Sequence, residues 1–121
     1  MNKAKRIAVL TMIVMFGSDV VHASGYLTAY SEGVAVVRYH IHGGGGMTLT
    51  VAGISNPDGC GGTTLVHIPP TLNGYKEMVA AALTAVAQGK RIGLWSTGCS
   101  LLPFWGGTTT YPVVNDLWVI D

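Results

Sequence analysis

The sequence predicts a mainly β domain with one helix, of the α+β class. Three observations carry that expectation: two alternating runs joined by a glycine loop, a single stretch of helical periodicity, and further short β-rich runs before and after that stretch.

The chain opens on MNKAKR and then runs uncharged through IAVLTMIVMFG, Ile7 to Gly17. A basic segment followed by an apolar one of this length is the pattern of a secretory signal peptide, and it is too short to span a bilayer as a helix. Val21 and Ala23 occupy the small-residue positions, so cleavage after Ala23 is expected. Residues 1–23 are thus read as a signal peptide and 24–121 as one small β-barrel-like domain. The implied location is periplasmic or extracellular, without stable membrane insertion after cleavage. The residue immediately after the expected cleavage site is Ser24 and not a cysteine, which argues against a lipid anchor.

Within the domain, Tyr26 to Tyr30 is a short segment able to pair ahead of the main strands. From Gly33 to His42 the chain alternates, with Ala35, Val37, Tyr39 and Ile41 forming one apolar face, expected to lie on the core, and Val34, Val36, Arg38, His40 and His42 the other. Four glycines follow, and then Met47, Leu49 and Val51 alternate with Thr48 and Thr50. Two such runs around glycines predict a β-hairpin. SNPDGCGG, Ser55 to Gly62, is turn chemistry, and TLVHI, Thr64 to Ile68, is a short strand stopped by Pro69 and Pro70.

From Tyr75 the apolar residues Tyr75, Met78, Val79, Ala82, Leu83 and Val86 fall on one helical stripe. Thr71 or Asn73 is the expected cap at its start, and Gly89 the left-handed cap at its end. One apolar face means a helix laid on a core. KRIGLWS, Lys90 to Ser96, reads as a strand with Ile92 and Leu94 on one side and Trp95 on the other. A loop from Thr97 to Pro112 and a final strand VVNDLWVID complete the order. Strands with a single late helix predict a small OB-like barrel or a strongly curved antiparallel sheet with one amphipathic helix packed on it.

Charged residues are 11% of the chain, against roughly a quarter in an average soluble domain. That scarcity excludes the basic footprint of a nucleic-acid-binding protein. It also favours a surface covered by another copy, so self-association is expected. The two cysteines, Cys60 and Cys99, are expected to pair in an oxidising compartment.

Candidate chemistry is sparse. His40 and His42 alternate on one strand roughly 7 Å apart, and with His67 they would make three imidazoles for a metal ion if the topology brought them together. The plainer reading is a polar strand face running into a hairpin. The glycine run lacks the residues of a phosphate loop, and STGCS lacks the nucleophile-elbow pattern, so neither nucleotide binding nor acyl transfer is indicated. No cofactor is implied.

The loop CSLLPFWGGTTTYP is unusually apolar, and Phe104 and Trp105 admit three readings. They fold back on the core, they sit in a subunit interface, or Trp105 offers a flat face to a sugar ring with Ser100 and Thr108 as hydroxyl partners.

Cys60, a short strand, the helix YKEMVAAALTAVAQGK, the strand RIGLW and the GC of Cys99 together resemble a group of small secreted single-disulfide bacterial proteins and, more distantly, the B subunits of subtilase cytotoxin type. The resemblance implies a small barrel with a helix and a disulfide. In the toxin case it also implies a ring of five copies that binds cell-surface glycans and docks a separate A subunit. The aromatic loop from Leu101 departs from that pattern, and the toxin family's glycan-binding residues find no counterparts here. The reading that follows is a secreted, non-catalytic binding module. Its expected partners are a glycan, another envelope or secreted protein, or further copies of itself. The rival is a metal-binding protein or metal-dependent enzyme centred on His40, His42 and His67.

Overall fold

A computed structural model describes residues 24–102 and 107–121. The segment read as a signal peptide, Phe104 and Trp105 lie outside the described residues. The elements run β1 (Gly25–Tyr26), β2 (Val36–Ile41), β3 (Met47–Val51), β4 (Leu65–Ile68), α1 (Tyr75–Gln88), β5 (Arg91–Leu101) and β6 (Thr110–Ile120). They form one mixed sheet in the order β1-β5-β6-β4-β3-β2 with a single helix. All neighbours are antiparallel except β4 and β6, which run parallel because α1 and β5 intervene between them.

The sheet is curved enough for its margins to touch. Val34, just before β2, exchanges main-chain hydrogen bonds of 2.8 and 2.9 Å with Ile92 of β5. The result is a curved mixed sheet with one helix, the α+β arrangement that the order of strands around a single late helix predicts, although β4 and β6 run parallel where a wholly antiparallel sheet is expected.

Inside lie Val34, Met47, Leu49, Val51, Val66, Ile68, Ile92, Leu94 and Val114, with Ala82 and Ala85 of α1 against them. The helix ends where expected, at Gly89 with φ 66°, whose N–H reaches back to Val86 and Ala85 carbonyls. Its start differs: Gly74 is the cap residue and no side chain caps it, so neither Thr71 nor Asn73 plays that part. The buried stripe is also turned slightly. Ala85 takes the centre and Val86 is left partly exposed, because a small residue lets the helix approach the sheet closely.

The alternation in β2 required the largest correction. A bulge between Val36 and Arg38 inserts Val37 as an extra residue, so Val36 pairs with Val51 while Arg38 pairs with Thr50. That changes the parity of the strand. Val34 and Val36 turn inward, and Ala35 and Val37 turn outward. Beyond the bulge Tyr39 and Ile41 do share the side of Leu49 and Met47, but β2 is the last strand among the described residues and both side chains stay exposed. Val37, Tyr39 and Ile41 are 66, 42 and 52% exposed.

The expected loop from Thr97 to Pro112 is shorter than predicted. β5 continues to Leu101 and pairs with β6 at Cys99–Pro112, Ser100–Tyr111 and Leu101–Thr110, past two irregularities around Ser96. Turn-type residues hid this pairing, since the irregularities absorb Thr97 and Gly98 of β5 and Asn115 of β6 without ending the ladder. Cys60 and Cys99 are joined in a disulfide with Cα atoms 5.5 Å apart, which ties the loop before β4 to this extended part of β5. Among the described residues no helix is long and apolar enough to cross a membrane.

Candidate functional site

Two strand positions that face away from the core build the most distinctive surface of the molecule. Gly93 pairs with Trp118 and Trp95 pairs with Asp116, so both tryptophans project from the outer side of the β5–β6 ladder. Tyr26 of β1 pairs with Trp95 and joins the same face. Tyr30, in the turn after β1, completes a cluster of four rings.

The rings are mutually arranged rather than scattered. Tyr26 meets Trp95 edge-to-face at a centroid distance of 4.7 Å, and it meets Tyr30 and Trp118 at 6.2 and 6.0 Å, again near perpendicular. Tyr30 lies tilted over Trp118 at 5.1 Å. Such contacts fall in the favourable range for aromatic pairs. Tyr26 and Tyr30 are 50 and 67% exposed, so the upper surface of the cluster is open to solvent.

Local chemistry fixes this surface. Trp118 lies across Gly93, where a β-carbon would stand 2.0 Å from the indole, so a side chain at position 93 is incompatible with the ring's place. The indole N–H of Trp118 donates to the Tyr30 carbonyl at 3.0 Å and ties the turn to the sheet. Arg91 holds the turn's far end, its guanidinium donating to the carbonyls of Glu32 and Gly33 at 2.8 and 3.0 Å. Gly33 has φ 61° and packs against the Ile92 carbonyl, a position only glycine fills without strain. The Ser55 hydroxyl donates to the Tyr26 carbonyl at 2.7 Å. The same turn lines a cleft of about 460 Å³ with Thr28, Glu32, Ser55 and Arg91 among its walls. Rigid aromatic faces beside a polar cleft, with the exposed Asp116 on the same side, suit a flat ligand that carries hydroxyl groups.

The histidines occupy a different region. Strand register sets His40 opposite Thr48 and Thr48 opposite His67, so three adjacent strands contribute to one row on the outer face. His42, two residues on, stacks on His40 with ring centroids 4.3 Å apart and hydrogen-bonds through Nε2 to the Thr48 hydroxyl. His67 comes alongside: its Cε1 would stand 2.9 Å from a β-carbon on Gly46, the residue bonded across the hairpin to His42. The run of glycines is thereby explained, since Gly45 and Gly46 have φ 103° and 99° and Gly46 also makes room for an imidazole.

Burial pushes the His42 imidazole below its usual range, and the neighbouring His40 and His67 add to the effect. Burial likewise lowers His67, partly offset by a hydrogen bond with the Met47 backbone. All three histidines thus meet on one face, yet among the described residues no group of three or more His, Cys, Asp or Glu side chains is disposed to share a metal ion.

Of the other residues singled out, Ser100 lies in the β5–β6 ladder with its hydroxyl donating to the Leu101 carbonyl at 2.8 Å. Thr108 is exposed, near a hollow of about 140 Å³ lined by Leu102, Gly107, Thr109 and Tyr111. The aromatic face was not read from the sequence. A tryptophan opposite a glycine on neighbouring strands is a legible signal only after the register of β5 and β6 is known. No protein-family model, curated protein or solved structure matches this chain.

Proposed function

We propose that the chain is a secreted or periplasmic, non-catalytic binding module that self-associates and takes a glycan on the face formed by Tyr26, Tyr30, Trp95 and Trp118. The observation that carries this reading is the cluster itself. Four aromatic side chains are held by turn and strand hydrogen bonds, with two of them largely exposed, and a hydrophobic core gains little from rings in that position.

A sugar ring has apolar C–H faces and a rim of hydroxyls. Tyr30 and Trp118 offer the flat surface, and Asp116 and the tyrosine hydroxyls offer polar partners. The basic leader pattern and the disulfide support an oxidising, non-cytoplasmic location. The low charge supports self-association.

A glycan array read with the wild type and with Tyr30→Ala tests the proposal. Binding to at least one glycan, weakened about tenfold or more in the variant, is expected. A wild type that binds no glycan removes the ligand part of the reading.

A further inference from the structure

Asp116 stands on the aromatic face as an exposed carboxylate. It pairs across the ladder with Trp95 and precedes Trp118 by two residues on β6, so an indole lies on either side of it. Cross-strand partners stand about 5 Å apart at their β-carbons, and residues two apart on a strand are separated by roughly 7 Å. Among the described residues the one ion pair joins Lys90 to Asp121, beyond the Arg91–Ile120 end of the ladder, and no basic side chain pairs with Asp116.

Arg91 is the cation of the β5–β6 ladder, and it lies on the same face. It pairs with Ile120, on the other side of Trp118 from Asp116. Four residues of strand place it roughly 13 Å from Asp116. That exceeds the distance of about 8 Å over which exposed charges act at physiological salt. Its guanidinium is also turned to the carbonyls of Glu32 and Gly33. Glu32, exposed in the same turn, adds a second carboxylate at that end.

The rings bias the face in the same direction. The flat side of an aromatic ring is the negative side of its quadrupole, so it attracts a cation placed over it and repels an anion. Tyr26 and Tyr30, 50 and 67% exposed, leave this surface open to a ligand. An acidic sugar would meet repulsion from the carboxylate and from the rings together.

We infer that the face formed by Tyr26, Tyr30, Trp95 and Trp118 takes sugars that carry a free, protonated amine, and that Asp116 pairs with the ammonium and sets the preference over acetylated and acidic sugars. An amine on a sugar ring projects from the rim, so the C–H face rests on Tyr30 and Trp118 while the ammonium reaches the carboxylate. Acetylation removes that charge and keeps the ring, and a uronic acid reverses it. The inference rests on the glycan reading above and adds the charge of the sugar to it. An exposed ion pair and a cation–π contact together give roughly a fivefold to tenfold preference.

Isothermal titration of the wild-type chain with matched-length oligomers of glucosamine, N-acetylglucosamine and galacturonic acid tests it, at about pH 6, below the titration of such an amine. The readout is the ratio of glucosamine to N-acetylglucosamine affinity within each protein, so a general weakening in a variant cancels. The wild type is expected to prefer glucosamine about fivefold or more and to bind galacturonic acid weakest. Asp116→Asn is expected to bring the ratio close to one, and raising the pH to about 9, where the amine is neutral, is expected to do the same in the wild type. Glu77→Gln, which removes an exposed carboxylate on α1, is expected to leave the ratio as it is.

A wild-type ratio at or below one, or binding of other glycans on the array without the glucosamine oligomer, overturns the inference and leaves the glycan reading standing. A preference that persists in Asp116→Asn or at the higher pH, or that Glu77→Gln removes equally, overturns the role of Asp116. A wild type that binds no glycan at all overturns both.

Discussion

At the residue scale, single side chains decide whether the outer faces exist at all. Gly93 is the clearest case, because Trp118 fills the space its side chain would need. Gly93→Ala is expected to lift the indole off the sheet and break its hydrogen bond to Tyr30, read as a shift in tryptophan fluorescence together with a loss of glycan affinity of about tenfold or more. An unchanged spectrum and affinity would show that the ring is not held by that contact.

The histidine row sets a pH dependence. His42 and His67 both have imidazoles lowered in the folded state, from an unfolded value of about 6.5. A base with a depressed folded pKa contributes stability that is fully present above the unfolded value and is lost as pH falls through the folded one. Denaturant midpoints are therefore expected to decline as pH falls from 7 towards 5, and His67→Gln is expected to flatten that decline. A midpoint that rises over this window would contradict the assigned direction.

At the scale of elements, much of the fold was legible. The hairpin, the helix from Tyr75 to Gln88 and its Gly89 cap follow from periodicity and from glycine's tolerance of positive φ. The bulge at Val37 was not legible. It is a register event between two strands, and β2 alone shows unbroken alternation. The extension of β5 and β6 was hidden for the same reason, by residues that usually end strands. The aromatic face escaped because Tyr26, Tyr30, Trp95 and Trp118 are far apart in sequence and meet only through the β1–β5–β6 pairing.

Two expectations belong to elements. Ala82 and Ala85 are fully buried where α1 meets the sheet, so Ala85→Leu is expected to cost about 1–3 kcal/mol by overpacking, measured by urea denaturation. A neutral result would mean that the helix sits farther from the sheet than its burial indicates. The disulfide ties β5 to the loop before β4 across 39 residues, and replacing both cysteines by alanine is expected to cost roughly 2–5 kcal/mol. Equal stability with and without the bridge would contradict that role.

At the scale of the molecule, the curved sheet separates three kinds of surface. The interior is apolar and capped by α1, the outer side of β5 and β6 carries the rings, and β2 is the last strand of the sheet among the described residues. A small domain with few charges can hold its fold with one helix, one disulfide and this sheet, which leaves the aromatic face for recognition. The account stands or falls on the ring cluster. Isothermal titration of a glycan identified on the array against wild type, Tyr26→Ala, Tyr30→Ala and Trp105→Ala is the most direct measurement. The proposed site requires that affinity fall about tenfold or more in the two tyrosine variants. Affinity retained in both tyrosine variants, or lost only in Trp105→Ala, would contradict it.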